Sequence, residues 1–149
     1  MNPVYNKKAN FDYEILEAYE AGLLLTGPEV KSAKRGSLDL GGSYIAIDKT
    51  LTPWLINANI SAYAPAKQVQ QNYDPTRSRK LLLKKHELIK LSTKAKTQGL
   101  TIIPIKVYTK GGLVKIEIGL AKGKKKHDKR EDLKKRDTDR KIQQALKNY

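Results

Sequence analysis

The chain has 149 residues, 39% of them hydrophobic, and thirty Lys and Arg against fifteen Asp and Glu give it a formal charge of +15. That length suits one domain with a modest core, and an excess larger than solubility needs implies a polyanionic partner. No segment joins a basic face to a broad apolar one, which favours nucleic acid over a membrane surface, and the absence of cysteine excludes disulfides, thiol catalysis and cysteine-bound zinc.

In chain order, Met1-Asn2-Pro3-Val4-Tyr5-Asn6-Lys7-Lys8 lacks the apolar core of a secretory signal, so a cytoplasmic protein is expected. Residues Phe11 to Tyr19 and Gly22 to Thr26 are expected to pair as strands, with Tyr13, Ile15 and Tyr19 alternating. Ala21 to Leu25, the longest apolar stretch, is too short to cross a bilayer, and no membrane partner is expected. Pro28 to Lys34 reads as a short helix, with proline in its first turn and Gly36 past its end. A second strand pair is expected at Tyr44 to Ile47 and Trp54 to Ile60, with Trp54, Ile56, Ala58 and Ile60 on one face.

Asp74-Pro75-Thr76 has the composition of a helix start, so a helix is expected through Leu81 to Leu83, then Leu88, Leu91 and Ala95, ending at Gly99. The clearest element is a hairpin: Ile103, Ile105 and Val107 alternate up to Lys110-Gly111-Gly112, and Val114, Ile116, Ile118 and Leu120 alternate back. Pro104 cannot donate to a ladder, so that strand should be an edge or carry a bulge there. About six short antiparallel strands with two or three flanking helices define a mainly β protein built on a small barrel.

Charge divides the chain after Ala121. Residues 1 to 121 carry 18 basic and 10 acidic side chains, while residues 122 to 149 carry 12 basic and 5 acidic ones in 28 positions. The second stretch has few apolar side chains, chiefly Leu133, Ile142, Ala145 and Leu146, and is expected to be a basic tail, disordered when free. Glu131/Lys135, Asp132/Arg136 and Asp137/Lys141 stand at i,i+4, so the tail can become helical on a partner.

Catalytic signatures are missing. Gly119-Leu120-Ala121-Lys122-Gly123-Lys124 is one residue short of a phosphate loop, with Lys125 in place of its Ser or Thr. His86 and His127 are the two histidines, and no Gly-x-Ser-x-Gly occurs, so a non-enzymatic protein with no cofactor or metal is expected. His86 falls among Lys84, Lys85 and Glu87, as a solvated helix-surface residue would. His127, between Lys124-Lys125-Lys126 and Asp128-Lys129-Arg130, belongs to a flexible linker or stacks on a nucleobase. Arg77-Ser78-Arg79-Lys80 at an expected helix start opposes the helix dipole, which points to phosphate contacts or to pairing with carboxylates. Lys115 and Glu117 should project from the face opposite the core.

Asn6-Lys7-Lys8-Ala9, Glu20-Ala21-Gly22-Leu23, Gly27 with Glu29-Val30-Lys31-Ser32, Ser43-Tyr44, Asp74-Pro75-Thr76-Arg77 with Arg79-Lys80-Leu81-Leu82-Leu83, and Ala121 to Lys125 with His127-Asp128-Lys129-Arg130 run in order along nearly the entire chain. Together they closely resemble the SmpB family of bacterial tmRNA-binding proteins. The resemblance implies a barrel related to the OB-fold that holds the tRNA-like domain of tmRNA. It also implies delivery with elongation factor Tu to stalled ribosomes, and a tail that folds in the decoding centre and empty mRNA channel against small-subunit rRNA.

Glu20, Leu82 and Lys115 match family positions implicated in tmRNA binding, and Asn6, Lys7, Lys8, Lys31, Arg77, Arg79 and Lys80 join them as expected tmRNA contacts. Gly123, Lys124, Lys125, His127, Asp128, Lys129 and Arg130 match the tail base that engages the decoding centre, with His127 placed to stack on an rRNA base. A monomer is expected. Pro28, Thr109 and Thr138 stand where the family commonly has tryptophan.

Overall fold

A computed structural model describes residues 1–66, 71–124, 130 and 133–141. Its elements are β1 (Val4–Tyr5), α1 (Lys7–Asp12), β2 (Tyr13–Leu23), α2 (Gly27–Lys34), β3 (Leu38–Asp39), β4 (Tyr44–Ile47), β5 (Pro53–Ile56) and β6 (Asn59–Ile60). A 3-10 turn, Ala64–Ala66, leads on to β7 (Arg79–Leu82), α3 (Lys85–Gln98), β8 (Thr101–Lys110) and β9 (Leu113–Gly123). Strands β8, β4, β5, β7, β2 and β9 are antiparallel neighbours in that order, and β8 pairs with β9 to close a six-stranded ring. β1 adds to β8, and β3 pairs with β6 as a separate two-stranded sheet.

The closing hairpin follows directly from its residues. Gly111 and Gly112 both have positive φ, 58° and 76°, which a tight primed turn between twisted strands requires. Val114, Ile116, Ile118 and Leu120 all enter the core. On β8 the register slips between Pro104 and Lys106, the bulge expected at a residue without an N–H. That slip reverses the phase: Ile102 and Val107 face the core, whereas Ile103 joins Ala9 and Ala121 in a small second cluster under α1. Ile103, Ile105 and Val107 therefore do not share one face. Gly119 leaves room for the side chains around it, since a Cβ there would lie 2.9 Å from Ile105 Cδ1 and 3.1 Å from Ile15 Cγ2 and would push them aside.

Three other expectations change. Tyr13 to Leu23 is one continuous strand of 11 residues, and Phe11 belongs to α1. Gly22, inside that strand, lets the Leu82 side chain lie over it, since a Cβ there would meet Leu82 Cβ on the neighbouring strand at 3.2 Å. In the second pair, Asn57 takes a positive φ of 65° and ends β5, so Leu55, Ala58 and Ile60 are buried while Trp54 and Ile56 face outward. The helix expected from Asp74 begins only at Lys85. Asp74 Oδ1 instead accepts from Thr76 N and Thr76 Oγ1, at 2.9 and 3.0 Å, and the chain enters β7 between β5 and β2.

Helix α2 forms where expected. Thr26 Oγ1 accepts from Glu29 N, and Glu29 Oε1 accepts from Thr26 N at 3.0 Å, a reciprocal capping box. Helix α3 ends at Gly99, whose φ of 64° is the left-handed stop anticipated there. Its Leu88 and Leu91 are buried, and Ser92, Ala95 and Lys96 border Ile45, Ile47 and Ile102 at one mouth of the ring. Replacing a fully buried residue such as Ile116 by alanine should cost about 2–5 kcal/mol. In the basic tail, residues 133 to 141 are helical and exposed, while Lys125, His127, Asp128 and Lys129 lie outside the described residues. Among the described residues no helix is long and apolar enough to cross a membrane.

Candidate nucleic-acid interface

The outward sides of β7, β2, β9 and β8 meet in one row. Leu82 is opposite Gly22, Gly22 is opposite Lys115, and Lys115 is opposite Tyr108. One step along, Glu20 is opposite Glu117, and Glu117 is opposite Lys106. Alternation on a pleated sheet puts these side chains on the solvent face while their neighbours Ala21, Ile116 and Val107 fill the core. The ring thus brings Glu20, Leu82 and Lys115 together from three separate stretches of sequence. Leu82 is 52% exposed and lies over Gly22, beside a mostly apolar hollow of about 250 Å³ that also touches Leu24, Leu113 and Lys115.

Glu20 accepts a hydrogen bond from the Tyr108 hydroxyl and forms an ion pair with Lys110 Nζ at 3.4 Å. The Tyr108 hydroxyl and the nearby lysines hold its carboxyl below the usual range, whereas burial and Glu20 push the Tyr108 hydroxyl up. Lys106 Nζ sits 5.4 Å from the Tyr108 ring centroid and 3.7 Å from Glu117 Oε2. Glu20 therefore stays ionised and orients a tyrosine and a lysine, while keeping lone pairs for a nucleobase amino group or a ribose hydroxyl. Tyr108, Lys106 and Lys110 were missed as site residues. Their strict alternation with Val107 was the available signal, hidden by the bulge before it.

Arg77 and Arg79 do something else. Arg79 is 0% exposed and points into the ring, where its Nε and NH2 donate to Glu29 Oε2 at 2.9 and 2.7 Å. Its NH1 donates to Ala58 O at 2.7 Å and its NH2 also reaches Pro75 O at 2.9 Å, so each nitrogen of the guanidinium has an acceptor inside the protein. Arg77 Nε donates to the same carboxylate at 3.0 Å, and the Tyr73 hydroxyl lies 3.0 Å from Glu29 Oε2 and 2.8 Å from Ile60 O. Burial raises the Glu29 carboxyl, but Arg77, the Thr26 amide and Arg79 outweigh it and hold the group at about 2. A phosphate contact by Arg79 is thereby corrected to a structural one: this cluster ties α2 to β7.

The other expected residues are scattered around the barrel. Asn6 is buried and caps α1, accepting from Ala9 N and donating to Pro104 O at 2.9 Å, whereas Lys7 and Lys8 are exposed on that helix. Lys31 is exposed on α2 with its Nζ 5.5 Å from the Tyr63 ring centroid. Arg35, also missed, stacks on the same ring at 4.7 Å. Lys80 is exposed on β7 opposite Trp54. Gly123 and Lys124 leave the end of β9, where Lys124 N donates to Asp12 O at 2.9 Å, and Arg130 is exposed. His86 is exposed on α3, as its surroundings implied.

A closed antiparallel ring with a lysine-rich, tyrosine-bearing outer face has the chemistry of a nucleic-acid-binding module: cations for phosphate, a ring and leucines for bases, a carboxylate for base or sugar edges. Residues 3–148 match the family model described as SmpB protein. The chain is 53% identical over 144 residues to the SsrA-binding protein of Nostoc punctiforme, covering 97% of this chain and 92% of that one. It is 48% identical over 146 residues to the SsrA-binding protein of Mycoplasma mycoides, covering 98% and 95%. A chain in the solved structure "tmRNA-SmpB: a journey to the center of the bacterial ribosome" superposes with a TM-score of 0.68 at 45% identity, covering 83% of this chain and 85% of that one. The chain belongs to the SmpB family.

Proposed function

We propose that the outward row from Leu82 to Tyr108 is the surface on which this protein holds tmRNA, as a binding protein that carries that RNA into trans-translation on stalled ribosomes. The observation that carries this reading is the convergence of Glu20, Leu82 and Lys115 from three stretches of sequence onto one outward face. Lys115 supplies charge to a phosphate, Leu82 an apolar contact to an unstacked base, and Glu20 an acceptor with a pre-oriented tyrosine beside it. The likeness to SsrA-binding proteins and to the solved tmRNA-SmpB structure supports the same partner.

Within that reading, the tRNA-like domain is the part of tmRNA held by residues 1–121, and Lys7, Lys8, Lys31 and Lys80 add phosphate contacts around it. Elongation factor Tu joins the delivery complex, and the protein works as a cytoplasmic monomer. Residues 122–149, of which the first two finish β9 and 133–141 are helical, form a tail that settles against small-subunit rRNA, with Gly123 to Arg130 at the decoding centre and His127 stacked on a base. Changing His127, Asp128, Lys129 and Arg130 together to alanine should leave tmRNA affinity within a few-fold, measured by gel shift, and abolish peptide tagging in a reconstituted assay. A parallel collapse of tmRNA affinity would place the tail in the primary site; normal tagging would make the block a linker.

A further inference from the structure

The outward row depends on a change of phase in β8. Ile102 and Pro104 are buried, so a strict period of two would send Lys106 and Tyr108 into the ring. Between Pro104 and Lys106 the ladder to β9 carries one extra residue, Ile105, and this bulge turns Lys106 and Tyr108 outward while Val107 enters the core. Pro104 explains why no N–H is lost from the ladder there, and the carbonyl oxygens beside it need partners of their own.

Asn6 supplies both. Pro104 is fully buried and its oxygen accepts from Asn6 Nδ2 at 2.9 Å, while the oxygen of Ile105 accepts from Asn6 N at 2.8 Å. Asn6 is itself 5% exposed and is anchored on either side. Before it, Val4 and Tyr5 pair with Val107 and Lys106; after it, Asn6 Oδ1 accepts from Ala9 N at 3.3 Å at the start of α1. Its side-chain amide is thus turned inward at both ends, and it is placed to act on RNA only through the strand it holds.

We propose that Asn6 is a positioning residue for the tmRNA row: by holding the carbonyls of Pro104 and Ile105 it fixes the β8 bulge, and the bulge aims Lys106 and Tyr108 at the face that carries Glu20 and Lys115. The consequence for RNA rests on the reading above, whereas the clamp itself rests on the hydrogen bonds alone. A buried carbonyl left without a donor is costly, so a chain lacking the amide relaxes at Pro104 and Ile105. Lys106, with its Nζ 3.7 Å from Glu117 Oε2, and Tyr108, with its hydroxyl on Glu20, follow immediately and lose their aim.

Asn6→Asp and Asn6→Ser separate this role from helix capping, because both residues cap a helix about as well as asparagine and neither presents an amide donor to Pro104 O. The readout is the titration of the Glu20 carboxyl, followed by NMR in the full-length protein without RNA. That carboxyl lies below the ordinary glutamate range chiefly because the Tyr108 hydroxyl donates to it. In both variants its midpoint should rise part of the way to the value seen in Tyr108→Phe. Leu88→Ala, which loosens α3 away from the bulge, should lower thermal stability and leave the midpoint unaltered. Affinity of Asn6→Ser for the tRNA-like domain should fall about fivefold. In the unmodified protein, the Asn6 side-chain amide protons should exchange with solvent far more slowly than those of the exposed Asn10. The proposal is overturned if those protons exchange as fast as the ones on Asn10, if the Glu20 midpoint is the same in both Asn6 variants as in the unmodified protein, or if Leu88→Ala moves it equally. A raised midpoint with unchanged RNA affinity would uphold the clamp and overturn the assignment of the row to tmRNA.

Discussion

Two places in this barrel use the same three groups, a glutamate, a tyrosine and basic side chains, to opposite ends. Glu20, Tyr108 and Lys110 meet on the outer face of the ring, with Lys110 68% exposed at its side chain. Glu29, Tyr73, Arg77 and Arg79 meet inside it, where the Glu29 and Arg79 side chains are both 0% exposed. Outside, the cation is lysine, a hydrated point charge free to exchange its carboxylate for a phosphate. Inside, it is arginine, whose planar fork can satisfy a carboxylate and backbone carbonyls together without water. Burial decides the role, and composition does not.

The sharpest way to break this comparison is to treat the inner cluster as the outer one. Glu29→Gln leaves Arg79 buried without a counter-charge and should destabilise the fold by about 3–5 kcal/mol, read from denaturant melts. The sign of the pH dependence follows from a folded value of about 2 against an ordinary 4.5. Glu29 contributes its stabilisation above about pH 4.5 and loses it as pH falls through about 2, so the gap between the two proteins should shrink over that window. The salt dependence of tmRNA binding by whatever fraction remains folded should be unchanged. A stable Glu29→Gln protein with a shallower salt slope would put the inner cluster on the RNA.

A smaller effect is expected outside. Lys115→Ala should leave thermal stability nearly unaltered, weaken binding of the tRNA-like domain, and make the slope of log K against log salt shallower by about one. An unchanged slope with lost affinity would mean that Lys115 supports the sheet face without meeting phosphate.

This contrast also explains which parts of the architecture were legible in the sequence. β9 was readable because its inward positions Val114, Ile116, Ile118 and Leu120 are all aliphatic and the turn before it is Gly111-Gly112. β7 was not, because its inward positions are Arg79 and Leu81, and a buried arginine breaks the apolar period by which a strand is recognised. Asp74-Pro75-Thr76 then misled, since the side-chain bonds that cap a helix also close an isolated turn. Of the site, Glu20, Leu82 and Lys115 were legible through family resemblance, and their meeting was visible only in the ring. Arg79, in the same block as Leu82, reads as an RNA contact because sequence carries residue type without depth.

The smallest expected effect falls on the contact that makes the outer trio resemble the inner one. Tyr108→Phe removes the hydroxyl that donates to Glu20 but keeps the ring beneath Lys106 and opposite Lys115. Glu20 then loses the largest contribution that holds its carboxyl down, while Lys110 and Lys115 remain near it. Because the trio is open to water, the lost hydrogen bond is replaced by solvent, and stability should fall by no more than about 1 kcal/mol. Affinity for the tRNA-like domain should drop a few-fold through a less ordered Glu20, with the salt slope unaltered, since no cation has been removed. Tyr108→Ala should weaken binding further if the ring itself touches a base. Equal affinities for Tyr108→Phe and the unmodified protein would show that Glu20 needs no positioning. A loss of several kcal/mol in stability would show that the outer trio is as structural as the inner one, and the distinction drawn from exposure would fail.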